Sequence, residues 1–252
     1  MSEHILLERD GPVLTLRMSR VEKKNALTLD MYISLTEWLR DAGRDNAVRV
    51  IILAGDGGMF TSGNDLRDFA ATPPLSPDSP VLQFLRAIST YPKPILAAVN
   101  GVAVGIGTTM LLHCDLVVAD PATRFSLPFI NLGLVPEAAS SLILPRMVGH
   151  RRASELLMLG DMFDAPAAER YGIINRISEP GDAEVVAMAW ARALSAKAPI
   201  ALRKTKALLK SESSAVATRM QEEATEFASQ LVSAEFLEAV NAFMEKRAAR
   251  FD

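Results

Sequence analysis

The sequence predicts an α/β protein whose central sheet is mainly parallel. Up to about Asp182, short apolar runs typical of buried strands alternate with segments whose apolar residues recur at helical spacing. This alternation favours parallel pairing, because each helix carries the chain back to the start of the next strand. With 252 residues, 49% of them apolar, the chain is long enough to bury a large core.

The first elements predicted are a hairpin, a helix and a buried strand. Residues 5–7 and 13–18 are apolar runs on either side of Asp10-Gly11, a dipeptide that favours a tight turn between strands. Residues 28–42 carry apolar side chains at helical spacing, with Thr28 placed to cap the helix. Residues 48–53 are predominantly apolar and predict the next strand of the sheet.

Two more strand and helix units follow. Residues 81–90 predict a helix, and Ile95–Val99 predict a buried strand that leads through a Gly-rich turn into a short helix. Residues 115–119 predict the strand after it. A stretch rich in helix-breaking residues predicts a surface loop around Pro73, Pro74, Pro77 and Pro80.

Beyond about Asp182 the sequence predicts only helices, as far as Arg250. These helices have Ala-rich and charged faces, which is typical of a helical C-terminal subdomain. One basic cluster lies among them, at Arg203, Lys204, Lys206 and Lys210. Such clusters are most often solvated helix faces, with phosphate binding as the alternative.

Composition excludes several classes of function. A net charge of -3 and a pI near 5.7 give no general basic face for nucleic acid. A single Cys excludes a disulfide framework or a multi-thiol metal site and suits a reducing compartment. The N-terminus has charges inside its short apolar run and no stretch is apolar enough to span a bilayer, so we expect a cytoplasmic protein without a membrane partner.

Two Gly-containing corners are candidates for binding an anion or an oxyanion. One is Phe60-Thr-Ser-Gly-Asn-Asp65 and the other is Asn100-Gly-Val-Ala-Val-Gly-Ile-Gly107, each leading into a helix whose first amides lack an internal acceptor. For the first corner, a plain turn with Asp65 as helix cap is the alternative. The second lacks the Lys-Ser/Thr of a phosphate loop, and Met110 replaces the third Gly of a dinucleotide fingerprint. Together the two corners can hold a developing carbonyl oxyanion.

Glu137 is the candidate general base. It follows Pro136 at a predicted helix start among apolar residues, a setting that raises the pKa of a carboxyl toward a range useful for catalysis. The alternative is an acid that merely stabilises the first helical turn. His113 and Cys114 are predicted as packed core residues, and no metal-ligand spacing or Gly-x-Ser-x-Gly elbow is present.

Five segments together resemble the enoyl-CoA hydratase/isomerase, or crotonase, superfamily over almost the full length of the chain. They are RVEKKNALT at 20–28, FTSGNDL at 60–66, PKPILAAVNGVAVGIGTTMLLHCDLVVAD at 92–120, FSLPFINLGLVPEAASSLILPRMVG at 125–149 and FLEAVNAFMEKR at 236–247. The resemblance implies a spiral core of ββα units over residues 1–195 and a helical C-terminal region, 196–252, that forms a homotrimer or a dimer of trimers. It also implies an acyl-CoA thioester substrate, in which coenzyme A is part of the substrate, and no cofactor.

The resemblance also assigns expected roles to single residues. The amides of Asn64 and Ile106 match the pair that holds the thioester oxygen in this family. The expected contacts to coenzyme A are Lys23, Lys24, Ser62 and Asp65, together with Phe243 and Lys246, which a neighbouring subunit often supplies.

Two departures from the family pattern point to the type of reaction. The positions of the two hydratase glutamates hold Thr109 and Phe129, which are not carboxylates. Glu137 instead matches the glutamate of one group of delta-3,delta-2-enoyl-CoA isomerases, and Phe129 and Leu134 beside it suit a site that excludes water. We therefore expect isomerisation of 3-enoyl-CoA to 2-enoyl-CoA, with hydratase or lyase chemistry and an inactive acyl-CoA-binding protein as alternatives.

Overall fold

The computed structural model of the protein describes residues 1–71, 76, 78–245 and 247–251, with the backbone alone at 70, 71 and 243. The strands in these residues are β1 (Ile5–Asp10), β2 (Val13–Met18), β3 (Val50–Gly55), β4 (Ile95–Val99), β5 (Val102–Val104), β6 (Leu116–Ala119), β7 (Arg124–Ser126), β8 (Phe163–Asp164) and β9 (Arg176–Ile177). The α-helices are α1 (Leu29–Arg44), α2 (Leu66–Ala71), α3 (Pro80–Ser89), α4 (Ile106–Thr109), α5 (Ser140–Val148), α6 (His150–Met158), α7 (Ala165–Arg170), α8 (Ala183–Ser195), α9 (Pro199–Leu209), α10 (Ser213–Leu231) and α11 (Ala234–Glu245).

The main sheet has six strands in the order β1-β2-β3-β4-β6-β9. Only β1 and β2 pair in antiparallel fashion, as the predicted hairpin requires, and the other pairs are parallel. The capping position of Thr28 is also confirmed, since its side chain accepts a hydrogen bond from the amide of Met31. The α/β fold class predicted from the alternation of strands and helices is therefore confirmed.

A second sheet, in the order β5-β7-β8, was not predicted. Its strands have only three, three and two residues, which is too short for a periodic apolar signal. Strand β5 lies inside the Gly-rich segment that the sequence predicts as a turn, between Gly101 and Gly105. This small sheet places the second Gly corner beside the first.

Successive side chains of the central strands pack into two different cores. In β3, Ile51 and Leu53 belong to the larger core, which includes buried residues of α1 and α3. Their neighbours Val50 and Ile52 face α8, whose buried alanines are Ala183, Ala187 and Ala191. Because these alanines recur every four residues, they form one smooth helix face that lies close against the sheet.

Lys206 of α9 corrects the prediction that the C-terminal basic cluster is a solvated face. It is buried, and its Nζ donates to the carbonyl of Lys93 at 2.6 Å and pairs with Asp115 at 2.7 Å. Burial lowers the pKa of Lys206 to about 8, against the opposing effect of Asp115. Arg203 and Lys204 are exposed, as predicted. One member of the cluster therefore anchors α9 to the start of β4.

No single helix in the described part of the chain has both the length and the apolar character to cross a membrane. The pair α8 and α9 passes the same test of length and composition only when taken together, and a bend of 113° separates the two helices.

Candidate active site

The first Gly corner is held against β5 by backbone contacts. Gly63 has a φ of +93°, and a Cβ at this position would lie 2.8 Å from the carbonyl oxygen of Val104. Thr61 donates from its amide to Val102 at 3.0 Å and accepts from the amide of Val104 at 3.2 Å. Only glycine permits this approach, so the FTSGND motif is explained by packing as well as by a turn.

The second corner packs on the same threonine. Gly105 has a φ of +56° and precedes α4, and a Cβ on Gly107 would lie 2.7 Å from Cγ2 of Thr61. The hydroxyl of Thr108 donates to the carbonyl of Ala103 at 2.6 Å and fixes the start of the helix. The fold therefore brings together two turns that lie far apart in the sequence.

The amides of Asn64 and Ile106 are available at these corners. Within the described residues, neither amide donates a backbone hydrogen bond, whereas their neighbours Asp65 and Gly105 donate to Leu27 and Ser126. The side chain of Asn64 is held by the hydroxyl of Tyr32, at 2.5 Å from its Oδ1. Two amides without acceptors at adjoining corners form the arrangement that stabilises an oxyanion.

Both corners face a cavity of about 770 Å³, a size typical of small-molecule sites. The predicted residues that line it are Lys23, Lys24, Ser62, Asn64, Asp65 and Ile106. Lys23 and Lys24 are exposed at its edge, and the cavity is also lined by Arg67 and Arg247, which the sequence analysis did not single out. Its apolar wall includes Phe69, Phe129, Leu132, Leu134 and Phe227. The cavity thus combines an apolar interior with basic side chains.

Asp65 is engaged by protein groups rather than directed only at the cavity. Its carboxylate pairs with Arg20 at 2.7 Å and accepts hydrogen bonds from the amides of Arg67 and Asp68 at the start of α2. Partial burial alone would raise the pKa of Asp65, but Arg20 and these amides lower it below its ordinary value. The helix-cap role considered for Asp65 is therefore present in the structure.

The KNA segment is shaped by a buried asparagine. Asn25 has a φ of +55°, and its side chain accepts from the amide of Arg20 and donates to the carbonyls of Asp56 and Met59. These three bonds hold the turn in which Lys24 also adopts a left-handed backbone, with a φ of +51°. Lys23 and Lys24 are consequently fixed beside the cavity by a neighbour that does not itself line it.

Glu137 is buried, with 6% of its surface exposed. Burial, and then the negative charge of Glu223, raise its pKa from 4.5 to about 8, while a hydrogen bond from Thr109 at 3.3 Å acts in the opposite direction. A carboxyl that titrates near neutral pH is suited to general acid and base catalysis.

Glu137 does not line the 770 Å³ cavity itself. It lines a neighbouring cavity of about 20 Å³, which also contacts Leu82 and Leu85 of α3. Phe69 and Phe227 line both cavities. The structure therefore places the carboxyl and the two amides on either side of a shared aromatic wall.

Phe69 and Phe227 form this wall, and Phe129, which lines only the large cavity, packs against Phe227. We call these three rings the partition. The ring of Phe227 makes edge contacts with both others, with ring centres 6.1 Å from Phe69 and 6.5 Å from Phe129. Because its ring touches both of the others and lines both cavities, Phe227 is the central member of the partition. In this arrangement Glu137 adjoins the large cavity only through the rings of Phe69 and Phe227, which line both cavities.

The prediction that Glu137 opens a helix is wrong. Ala138 and Ala139 follow it with left-handed backbones, at φ of +61° and +56°, and α5 begins only at Ser140. A helix cannot include such residues, so Glu137 does not belong to the first helical turn and does not serve its dipole. The structural alternative considered for Glu137 is thereby removed.

The turn after Glu137 is held by Glu223 of α10. Its carboxylate accepts from the amide of Ala139 at 2.6 Å, the amide of Ser141 at 2.9 Å and the hydroxyl of Ser141 at 2.5 Å. Sequence reasoning did not identify Glu223 or Phe227. Their spacing of four residues on one helix was the available signal, because it places both side chains on the same face.

The remaining predicted residues have mixed outcomes. His113 is a packed core residue as predicted, with Nε2 at 2.8 Å from the carbonyl of Ala138 and a pKa lowered by burial to about 4. Lys246 and the side chain of Phe243 lie outside the described residues. In the part of the chain that the structure describes, no three His, Cys, Asp or Glu residues come together as metal ligands.

Comparison with known proteins identifies relatives across the whole chain. A family model described as enoyl-CoA hydratase/isomerase matches residues 8–252. The 1,2-epoxyphenylacetyl-CoA isomerase of Escherichia coli is 32% identical, with 100% of this chain and 99% of that protein aligned. Enoyl-CoA delta isomerase 2 of Rattus norvegicus is 30% identical over 98% of this chain and 64% of its own length.

A solved structure supports the same conclusion. OdaA of Pseudomonas aeruginosa has 47% identity and a TM-score of 0.94, with 96% of this chain and 99% of that chain aligned. At this TM-score and coverage, the two chains share one fold.

Proposed function

Because the chain belongs to the enoyl-CoA hydratase/isomerase family, we propose that it is a double-bond isomerase that converts 3-enoyl-CoA into 2-enoyl-CoA in fatty acid metabolism. The observation that carries this proposal is Glu137, a buried carboxyl with a raised pKa. The positions where hydratases of the family hold their glutamates carry Thr109 and Phe129 instead.

In the proposed reaction, the Glu137 carboxylate removes a proton from C2 of the 3-enoyl thioester. The electron pair moves onto the thioester oxygen, which accepts hydrogen bonds from the amides of Asn64 and Ile106 as the dienolate forms. The Glu137 carboxyl then returns a proton to C4, and the double bond moves from C3–C4 to C2–C3. One carboxyl serves both steps because it approaches C2 and C4 from the same face of the planar intermediate.

The partition suits this chemistry because its apolar rings line the large cavity, where the double bond of the product would lie. Hydration of the conjugated product requires a water beside the double bond, and Phe129, Leu134 and Phe227 give the large cavity an apolar lining that disfavours an ordered water. The acyl chain has to displace the Phe227 ring to bring C2 and C4 to Glu137. We therefore propose that the reactive part of the substrate completes the site by opening the partition.

Coenzyme A is expected to lie along the basic edge of the large cavity. Lys23 and Lys24, with Arg67 on the same cavity, offer charges for the phosphates, and Ser62 and Asp65 lie between them and the Asn64 corner. Phe243 and Lys246 are proposed to complete a neighbouring subunit's site. No cofactor is needed for the proton transfers, and the single Cys suits a reaction in the cytoplasm.

The C-terminal helices support the proposed homo-oligomer. Residues 196–252 include large apolar side chains that are exposed in the single chain, among them Ile200, Leu208 and Leu209 of α9 and Leu237 of α11. Exposed apolar surface of this kind is characteristic of subunit interfaces. Sedimentation analysis should give a trimer or a dimer of trimers, and a monomer at micromolar concentration would contradict this assignment.

A hydratase is the second candidate function, and one observation favours it. Glu137 and Glu223 line the same cavity of about 20 Å³, which has room for about one water molecule. However, the Glu223 carboxylate already accepts three hydrogen bonds from Ala139 and Ser141, so it is poorly placed to activate that water. Isomerisation remains the better supported reaction.

The deciding experiment follows both reactions in one assay. Purified protein is incubated with 3-enoyl-CoA and, separately, with 2-enoyl-CoA, and the products are separated by chromatography. The proposal predicts 2-enoyl-CoA from the first substrate, loss of that product in Glu137→Gln, and full activity in the matched control Glu226→Gln, an exposed acid on α10. Formation mainly of 3-hydroxyacyl-CoA would identify a hydratase, and tight binding without conversion would identify an inactive acyl-CoA-binding protein.

A further inference from the structure

Glu223 is a buried acid that the isomerase mechanism does not use. Only 6% of its surface is exposed, although it lies on α10, far from Glu137 in the sequence. Burial of a carboxylate is unfavourable unless its oxygens are well hydrogen-bonded, and those of Glu223 accept three bonds. All three donors belong to Ala139 and Ser141, immediately after Glu137.

The turn that these bonds hold is strained. Non-glycine residues rarely adopt left-handed backbones, and here Ala138 and Ala139 do so in succession. This conformation is unfavourable for each of the two alanines, so a compensating interaction is needed to keep the turn in place. The hydrogen bonds from Ala139 and Ser141 to Glu223 are charge-assisted and short, which makes them strong enough for that role.

We propose that Glu223 is the positioning residue for Glu137: it locks the left-handed turn that aims the Glu137 carboxyl and places a second negative charge beside it. This inference rests on the proposed function of Glu137 as the base. The two carboxyls line the same small cavity, so the charge of Glu223 acts on Glu137 directly.

The other ionisable groups around the pair are neutral or are turned toward Glu223. Tyr32 of α1 faces Glu137, and burial raises its pKa well above 10, so it stays neutral. His113, which contacts the carbonyl of Ala138, is neutral above about pH 4. Arg219 of α10 donates to the hydroxyl of Ser141 at 3.2 Å and pairs with Glu222, and its charge acts on Glu223 by lowering the pKa of that carboxyl. Burial raises the pKa of Glu223 as well, against the opposing hydrogen bonds from Ser141 and Ala139. In its ionised form, Glu223 is the group that acts against ionisation of Glu137.

The test is a pH-rate profile of the oligomeric protein with 3-enoyl-CoA, comparing wild type with Glu223→Gln and the control Glu226→Gln. In Glu223→Gln we expect kcat to fall by about 100-fold, because the base is misplaced, while KM changes little. The acid limb of the profile should move to lower pH, because the neighbouring negative charge is gone. Glu226→Gln should match wild type in kcat, KM and the position of the acid limb.

A wild-type kcat in Glu223→Gln, or a reduced kcat with an unmoved acid limb, would overturn the proposal. Should this variant fail to fold, Ser141→Ala decides, because it keeps both carboxyls and removes one hydrogen bond to Glu223. A lower kcat at unchanged KM in Ser141→Ala supports the positioning role, and a wild-type kcat refutes it.

A separate measurement distinguishes this inference from the proposed function. If wild type does not convert 3-enoyl-CoA, the isomerase proposal fails, whatever Glu223 does. Infrared titration of the protonated carboxyl band in wild type, Glu137→Gln and Glu223→Gln then tests the pair without turnover. The Glu137 band should titrate at lower pH in Glu223→Gln, and an unchanged midpoint would refute the inference.

Discussion

Replacing Glu137 with glutamine is expected to abolish isomerisation and at the same time to stabilise the folded protein at alkaline pH. The two effects have one cause, which is the burial of a carboxyl that must ionise to act. Glutamine has nearly the same shape and can still accept the hydrogen bond from Thr109, but it has no charge to desolvate. The variant therefore separates the energetic cost of the base from its packing.

The size of the effect follows from the pKa of Glu137, which burial raises from 4.5 to about 8. Each pH unit between these values corresponds to about 1.4 kcal/mol, so ionised Glu137 destabilises the folded state by roughly 5 kcal/mol. The folded pKa is the higher one, so the folded state binds the proton more tightly. Stability is therefore greatest below about pH 4.5 as far as this group is concerned, and it falls as the pH rises to about 8.

Urea unfolding of wild type and Glu137→Gln between pH 5 and pH 9 checks this reasoning. The difference in unfolding free energy should grow with pH in favour of the variant and level off above about pH 8. Over the same range, kcat/KM of wild type should rise with pH, reach half of its maximum near pH 8 and level off only above that, because only ionised Glu137 accepts the proton. Parallel stability curves for the two proteins would refute the buried charge, and an active variant would refute the role of Glu137 as base.

Three further substitutions test other parts of the site and fold. Phe227→Ala should lower the free energy of unfolding by about 3–5 kcal/mol. Because the smaller side chain opens the partition, it should also raise kcat/KM for branched relative to straight 3-enoyl-CoA substrates, and an unchanged substrate preference would contradict this. Gly107→Ala should lower kcat by about 100-fold, because its Cβ would lie 2.7 Å from Cγ2 of Thr61. The control Gly43→Ala, whose Cβ would have no contact closer than 3.5 Å, should leave kcat unchanged. Lys206→Met should lower the free energy of unfolding by about 3 kcal/mol, because it leaves Asp115 without its partner, and calorimetry showing wild-type stability would contradict the anchoring role.

The parts of the site that were predictable are those set by local sequence. A glycine between a strand and a helix turns the chain and leaves the next amide free, so the corners at Asn64 and Ile106 could be located from the motif alone. Strand Ile95–Val99 was predicted with the bounds that the structure has, because a continuous apolar run between prolines and glycine signals a buried strand.

The parts that were not predictable depend on contacts between distant segments. Glu223 of α10 accepts hydrogen bonds from the amides of Ala139 and Ser141 in the turn after Glu137. Nothing in the sequence of residues 136–141 itself indicates that partner. The sequence around Lys206 predicts a surface lysine, whereas the fold places Asp115 beside it. The position of Phe227 between the two cavities is equally a result of tertiary packing, since its sequence neighbours are those of an ordinary amphipathic helix.

Helix α10 carries Glu223 and Phe227 four residues apart on a single rigid rod. Any rotation or shift of α10 must therefore move the Glu223 carboxylate that holds the turn after Glu137. The same movement changes the shape of the large cavity, which Phe227 lines. A substitution at position 227 that displaces α10 would therefore also move Glu223 and change the pH dependence that Glu223 is proposed to set. For anyone engineering this chain toward a new acyl-CoA, the two positions form one design variable and should be randomised as a pair.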